Sequence, residues 1–238
     1  HQGKAIYGVG GGITWDSTWE SEYREVHQKA AVLYRKQARF KLITTGKISQ
    51  KNLLFEEQHI ERLRKASRYF AFPFDSENLK QKIEEECQAC DANQDYRLRI
   101  SLSKSGEIEV DCQVLTPLST SFCQAQFCLQ EANLQQAFTY FKTTHRPHLS
   151  IEEQEKIYHN GKGELLETSI GNLVLKIDGK LYTPPIRLGI LPGIYRQHLL
   201  ETGQVEEKAL TIEDLKGAEA IYGCNAVRGL YELSVREN

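Results

Sequence analysis

The order of elements predicts an α+β chain, mixed in its α and β content, with helices packed on antiparallel sheets. Three observations predict it. Between residues 38 and 118, two strand-like stretches lead into two amphipathic helices and then a hairpin, the order expected when helices cover one face of an antiparallel sheet. From residue 121 onward strands dominate, among them a hairpin turning at Asp178-Gly179. No internal repeat or low-complexity tract interrupts either region.

The elements follow in order. "STWESEYREVHQKAAVLYRKQ" (17–37) is a predicted helix, with Tyr23, Val26, Ala30, Leu33 and Tyr34 at three- and four-residue steps. "RFKLITTGKI" and "NLLFEEQ" read as strands. "EQHIERLRKASRYFAF" reads as an amphipathic helix with Ile60, Leu63, Ala66 and Phe70 on one face, and "SENLKQKIEEECQAC" as a second helix. "YRLRISLSKSGEIEVDCQVL" alternates through Leu98, Ile100 and Leu102, turns at Ser-Gly, and alternates again through Ile108, Val110 and Cys112. "FCQAQFCLQ" is a predicted strand. "SIEEQEKIY" is expected to open on a Ser150/Glu153 capping box, and "TIEDLKGA" on Thr211/Asp214. "AEAIYGCNAVRGLYELSV" reads as a buried strand, a turn and a last strand.

Composition narrows the function classes. The 238 residues are 40% hydrophobic and 26% charged, with a net charge of −2, so no global field favours nucleic acid or a membrane surface. No apolar run reaches the length of a membrane span, and the start shows no signal-peptide pattern. Six cysteines in a chain this long do not suggest a disulfide scaffold, and a reducing cytoplasm is the expected setting. "CQAC" (87–90) reads as two helix-end cysteines, because a redox pair wants a strand before it and a zinc site wants a second pair. The chain has no Met and opens on "HQGKAIYGVGGG", which suggests a piece of a longer protein.

Three places invite chemistry. Glu167, in "ETSIGN", sits where a strand breaks into a turn. "GILPGIYRQHLL" places Gly193 before a helix, whose first N–H groups suit a phosphate. Lys142 ends the aromatic stretch "TYFKTT", and a lysine against an apolar surface loses charge stabilisation, as an amine that attacks a carbonyl requires. Each also has a plain alternative: a solvated turn, an ordinary helix start, a lysine with its stem on the surface. His145 and His148 are expected to be solvated or supporting rather than metal ligands, and His59 a helix-start contact. "RKQARFK" is expected to be a solvated face.

Taken together, "KTTHR", "ETSIGN", "DGKLYTPP", "GILPGIYR" and "CNAVRG" occur in the order found in class IV aminotransferase-like, pyridoxal-phosphate enzymes, and "HIERLRKASRYFAF" resembles that family's early helix. The resemblance runs from about Arg39 to the end. "KTTHR" and "CNAVRG" look more like the family's 4-amino-4-deoxychorismate lyases than its aminotransferases. "YGVGGGITWDSTWESEYREVHQKA" resembles the C-terminal end of the chorismate-binding synthase component that makes aminodeoxychorismate, and Glu22 and Glu25 match its Mg²⁺-holding pair. No metal site is expected, since nearly all of that synthase domain is absent.

The resemblance implies a two-domain fold of pyridoxal-phosphate type IV, with the cofactor in a cleft. Residues 1–38 would be a synthase-like remnant, 39–118 a small lyase domain and 119–238 the larger cofactor-binding domain. It implies pyridoxal 5'-phosphate held covalently by Lys142, its ring nitrogen paired with Glu167. Its phosphate would meet Arg62 and the N–H groups of Ile194 and Tyr195, with Asn225 also on the cofactor side. Thr45 would join Lys142 on the catalytic side, while Arg99 and Arg146 would contact substrate. The implied reaction converts 4-amino-4-deoxychorismate to 4-aminobenzoate and pyruvate. A branched-chain or D-amino-acid aminotransferase, or a non-catalytic remnant, remains open on the same scaffold. A homodimer is expected, with a parent synthase domain as a further partner if the chain is a fragment. The sequence departs from the family in three ways: Thr44 stands where a Glu is usual, Leu149 where lyases of the fused type carry Tyr, and the link from Leu149 to Glu167 is short.

Overall fold

The structure is a computed structural model that describes residues 6–34, 38–120, 122–129, 136–150, 152 and 154–235. The chain forms two compact units, His1–Arg39 and Phe40–Asn238.

The first unit is a loop followed by α1 (Trp19–Tyr34). Residues 35–37, the expected end of this helix, lie outside the described residues. No described residue of the unit is buried. Tyr23 and Leu33, two of the expected apolar positions, are 61% and 55% exposed, and the side chain of Tyr34 lies outside the described residues. Glu22 and Glu25 face the backbone at Gly11, where an added Cβ would meet their carboxylate oxygens at 3.3 and 3.1 Å. Glu22 accepts a hydrogen bond from the Ser17 hydroxyl, and Glu25 is paired with Lys29.

In the second unit, β1 (Leu42–Ser49), β2 (Asn52–Leu53), α2 (Glu56–Phe70), α3 (Ser76–Ala89), β3 (Tyr96–Leu102) and β4 (Ile108–Val114) come first. The four strands make one antiparallel sheet in the order β2-β1-β3-β4. Along β3, Leu98, Ile100 and Leu102 point to one face and are buried. They meet Ile60 and Leu63 of α2 and Leu79 and Ile83 of α3 in a single core. Asp75 caps α3 by accepting from the Glu77 and Asn78 N–H groups. The expected strand "NLLFEEQ" shrinks to Asn52–Leu53. Phe55 takes a left-handed conformation (φ 59°), which turns the chain, and α2 begins at Glu56. Two acidic residues then sit in its first turn, where the helix dipole favours them.

The rest comprises β5 (Gln124–Leu129), α4 (Gln136–Tyr140), β6 (Lys156–His159), β7 (Leu165–Thr168), β8 (Asn172–Ile177), β9 (Lys180–Thr183), α5 (Ile194–Glu201), β10 (Glu206–Glu207), α6 (Ile212–Lys216), β11 (Ala220–Asn225) and β12 (Gly229–Val235). Eight strands pair in the order β10-β9-β8-β11-β12-β5-β6-β7, and β7 also pairs with β8. That last pairing closes six strands into a ring through one opposed pair, Glu167 and Asn172. Asp178 (φ 50°) and Gly179 (φ 75°) make the expected tight hairpin turn between β8 and β9. The Thr211/Asp214 capping box opens α6 as expected. The Ser150/Glu153 box itself falls partly outside the described residues, but the stretch expected to follow it is not helical where it is described. Residues 156–159 are a strand, Ser150 engages Lys156 and the Tyr158 hydroxyl instead, and Glu153 lies outside the described residues. The pull of strand pairing with β5 over four residues outweighs the local capping signal.

Candidate active site

Lys142 is placed by its neighbours. Phe138 and Phe141 pack on Phe40 and Phe70, with ring centroids 5.1 Å (Phe40–Phe138) and 5.3 Å (Phe70–Phe141) apart, which holds the end of α4 against α2. The chain then runs along the free edge of β1. Ile43 donates its N–H to the Lys142 carbonyl (2.9 Å) and Thr144 donates to the Lys41 carbonyl (2.9 Å). The lysine backbone is thus stitched to the small sheet on both sides.

Its side chain is half-buried among cations. Loss of water, then the charges of Arg146 and Arg62, pull the Lys142 pKa down to about 7, with Glu167 opposing and Arg99 adding a smaller push downward. Near neutral pH a large share of such an amine is unprotonated, a state that an ordinary lysine near 10.4 hardly populates.

Glu167, on β7, is 2% exposed. Burial raises its pKa, and Arg146 and the Leu191 N–H oppose that rise. Arg146 reaches both carboxylate oxygens, at 3.2 and 3.3 Å. Arg146, expected among the substrate contacts, is therefore committed to Glu167. A carboxylate this deep needs a partner, and one guanidinium nitrogen of Arg146 is shared between its two oxygens.

A second cluster forms where α2 meets the start of α5. Arg62 donates to the Pro192 carbonyl at 2.6 Å, and no carboxylate pairs with it among the described residues. Burial and Arg146 lower its pKa to about 10. Asn172 donates to the Leu191 carbonyl at 2.8 Å. Gly193 leads into α5 with no side-chain cap on the helix. A Cβ at Gly193 would fall 1.9 Å from the Asn172 Oδ1, so any larger residue here forces the Asn172 side chain or the turn to shift. The N–H groups of Ile194 and Tyr195 begin the helix beside Arg62, and the combination suits an anion of phosphate type.

Arg99 and Thr45 are directly opposed across β3 and β1. Both alternate with residues of the helix-covered core and so share the other face, and Arg99 acts on the Lys142 charge. Asn225 is differently employed from its expected role. Its Oδ1 accepts from the Val227 and Arg228 N–H groups, and its amide makes a long contact (3.4 Å) to the Ile170 carbonyl. The tight turn into β12 uses the side chain as its own cap.

The structure thus brings Lys142, Arg62, Arg99, Arg146 and Glu167 within mutual electrostatic reach, and sets Ile194 and Tyr195 at the Arg62 end. Other supporting residues are seen only in the structure or gain a partner there. His59, fully buried, lies 2.6 Å through Nδ1 from the Thr44 hydroxyl, so the Thr that replaces the usual Glu binds α2 to β1 one turn before Arg62. Burial, then Arg62 and Lys142, hold its pKa down at about 3, so the ring is neutral. Arg196, 1% exposed, donates to the Pro184 carbonyl and pairs with Glu207, tying α5 to the chain before it and to β10. His148 is buried rather than solvated, and burial and Arg146 lower its pKa to about 4. Among the described residues, no three His, Cys, Asp or Glu side chains form a metal-holding group. Also among the described residues, no helix is long and apolar enough to cross a membrane.

Comparison with known proteins places this arrangement. Residues 1–35 match the chorismate binding enzyme family. The chain is 25% identical over 185 residues to a candidate aminodeoxychorismate lyase of Schizosaccharomyces pombe, covering 71% of this chain and 79% of that one. It is 24% identical over 258 residues to the aminodeoxychorismate lyase of Saccharomyces cerevisiae, covering 79% and 69%. Among solved structures, a candidate amino-acid aminotransferase of Mesorhizobium loti superimposes with a TM-score of 0.70 at 26% identity, covering 83% of this chain and all of that one. Residues 41–234, which hold both sheets, the amine and the buried acid, match amino-transferase class IV, and with most of its length so matched the chain belongs to that family.

Proposed function

We propose that this chain is a pyridoxal-phosphate-dependent lyase that converts 4-amino-4-deoxychorismate to 4-aminobenzoate and pyruvate, a step of folate biosynthesis. The observation that carries the reading is the Lys142 amine, brought to about 7 inside a cluster that also contains a buried carboxylate and Arg62, which has no carboxylate partner among the described residues. Membership of the class IV family and the two lyase-named relatives support it. The chorismate-binding match of residues 1–35 supports a substrate of that chemical class.

The residues fit the cofactor. Lys142 would hold its aldehyde carbon. Glu167, oriented by Arg146, would face the ring nitrogen. Arg62 and the first N–H groups of α5 would take the phosphate, at a helix entry whose glycine packs directly on the Asn172 side chain. When bound, the cofactor supplies an electron sink for the carbon next to the substrate amine. The chain's own residues do the rest. Glu167 holds a proton at the ring nitrogen, and Arg146 keeps the carboxylate aimed. Lys142, neutral near pH 7, takes the proton from the substrate ring carbon as general base and returns one to the departing enolpyruvyl group. Arg99, a cation with Thr45 beside it, orients a substrate carboxylate. Aromatisation of the product ring makes the departure of pyruvate irreversible.

A class IV aminotransferase is the second reading, favoured by the likeness to the Mesorhizobium loti structure. Incubation with pyridoxal phosphate and aminodeoxychorismate decides between them. The lyase yields 4-aminobenzoate and pyruvate. An aminotransferase yields a new amino acid from 2-oxoglutarate with D-alanine or a branched-chain donor. The proposal carries with it a cytoplasmic homodimer, which sedimentation of the purified chain tests for assembly.

A further inference from the structure

The cleft is not the only place where a carboxylate is buried. Glu155, just before β6, is fully buried inside the second unit. Its Oε1 accepts the Ile170 N–H at 3.1 Å and its Oε2 accepts the Tyr231 hydroxyl at 3.2 Å. The Thr168 hydroxyl and the Ser169 N–H also act on it, although their main bonds go to the Gly171 and Lys156 carbonyls. Burial raises its pKa and these donors oppose the rise.

Ile170 belongs to the turn between Glu167 and Asn172, the pair that closes the six-strand ring. Two glycines make the room that Tyr231 needs. A Cβ on Gly171 would lie 3.0 Å from its hydroxyl oxygen, and one on Gly223 2.5 Å from the same atom. A buried carboxylate is a poor way to gain stability, since an apolar side chain would avoid its desolvation. What it can do is fix the orientation of two chain segments at once, through bonds that have no alternative partner in a dry interior.

We propose that Glu155 is a positioning residue for the cofactor site: it anchors the 168–171 turn from inside the ring and thereby sets Glu167 on one side and Asn172 on the other. Asn172 braces the Leu191 carbonyl, and with it the entry to α5. One side chain outside the cleft thus governs both the acid that faces the cofactor ring and the turn that receives its phosphate. The inference rests on the cofactor reading above.

The test uses Glu155→Gln and Tyr231→Phe in the whole chain, with hydrogen exchange read first in the cofactor-free protein. Glu155→Gln replaces one of the two acceptor oxygens with an amide donor, so Ile170 and Tyr231 can no longer both donate to it, and exchange at the Ile170 amide should speed about tenfold or more, while Leu173 and Ile157 in the ring core stay protected. Pyridoxal phosphate affinity should then fall about tenfold while the melting temperature moves by only a few degrees. If exchange rises equally across the ring, or affinity stays at the wild-type value, Glu155 is only a core residue and the inference is wrong. Should Glu155→Gln not fold, Tyr231→Phe carries the same reading with a smaller change in the same direction. A wild-type chain that binds no pyridoxal phosphate would defeat the cofactor reading, and the Ile170 exchange rate would still decide whether Glu155 holds the turn.

Discussion

At the residue scale, Lys142 carries the chemistry, and its pH behaviour can be worked out before any cofactor is added. Folding lowers its pKa to about 7, chiefly because burial disfavours the charged form. Between about pH 7 and the ordinary lysine value the unfolded chain therefore binds more protons, so this group's contribution to stability rises with pH across that window. The amine's reactivity rises through pH 7 for the same reason. Competitive acylation of the cofactor-free protein should give Lys142 a midpoint near 7, about three pH units below that of a lysine in a model peptide. Arg62→Gln removes a neighbouring cation and should move the Lys142 midpoint up, whereas Glu167→Gln removes the opposing anion and should move it down. A midpoint near 10 in the wild type would contradict the account. Lysine, acid and arginine were legible as residue types because each recurs in an ordered motif. The pairing of Arg146 with Glu167 was not, because twenty-one positions separate them and only the ring of strands brings them together. Asn225 was expected on the cofactor side, but its side-chain oxygen accepts two N–H groups of the turn into β12.

At the element scale, the entry to α5 is the most exacting piece of backbone. Gly193→Ala places a methyl against the Asn172 side chain and should cost about 1–3 kcal/mol through the shift it forces. The shift should weaken pyridoxal phosphate binding, measured by titration, at least as much as it lowers the melting temperature. Asn172→Ala leaves the buried Leu191 carbonyl without its donor and should cost about 1–3 kcal/mol in urea unfolding. Equal phosphate-end affinity in both variants and wild type would show that this turn does not form the cradle. Helices α2 and α3 and the β3–β4 and β8–β9 hairpins were readable because their apolar periods are long and their turns carry the right residues. The strand expected at 52–58 failed because a left-handed Phe55 carries no local signature. The strand at 156–159 was not read because its pairing with β5 is non-local.

At the scale of the whole molecule, every fully buried described side chain lies in Phe40–Asn238. Residues 1–39 add a helix with no buried side chain among the described residues. Their removal should leave the melting temperature of the remainder within a few degrees, measured by calorimetry, and a large drop would show that the first unit supports the second. The two-sheet plan followed from the order of strands and helices. Closure of six strands into a ring did not, since it depends on one opposed pair, Glu167 and Asn172, at a turn that reads locally as any polar turn. That closure puts the acid, the amide brace and the α5 entry in one place.

The most direct measurement is borohydride reduction of the purified chain after addition of pyridoxal phosphate, followed by peptide mapping. The account predicts one stoichiometric label, on Lys142, and its loss in Lys142→Ala together with about 10²–10⁴-fold or more of the turnover. A label spread over surface lysines with Lys142 unmodified, or a Lys142→Ala variant with wild-type activity, would contradict it.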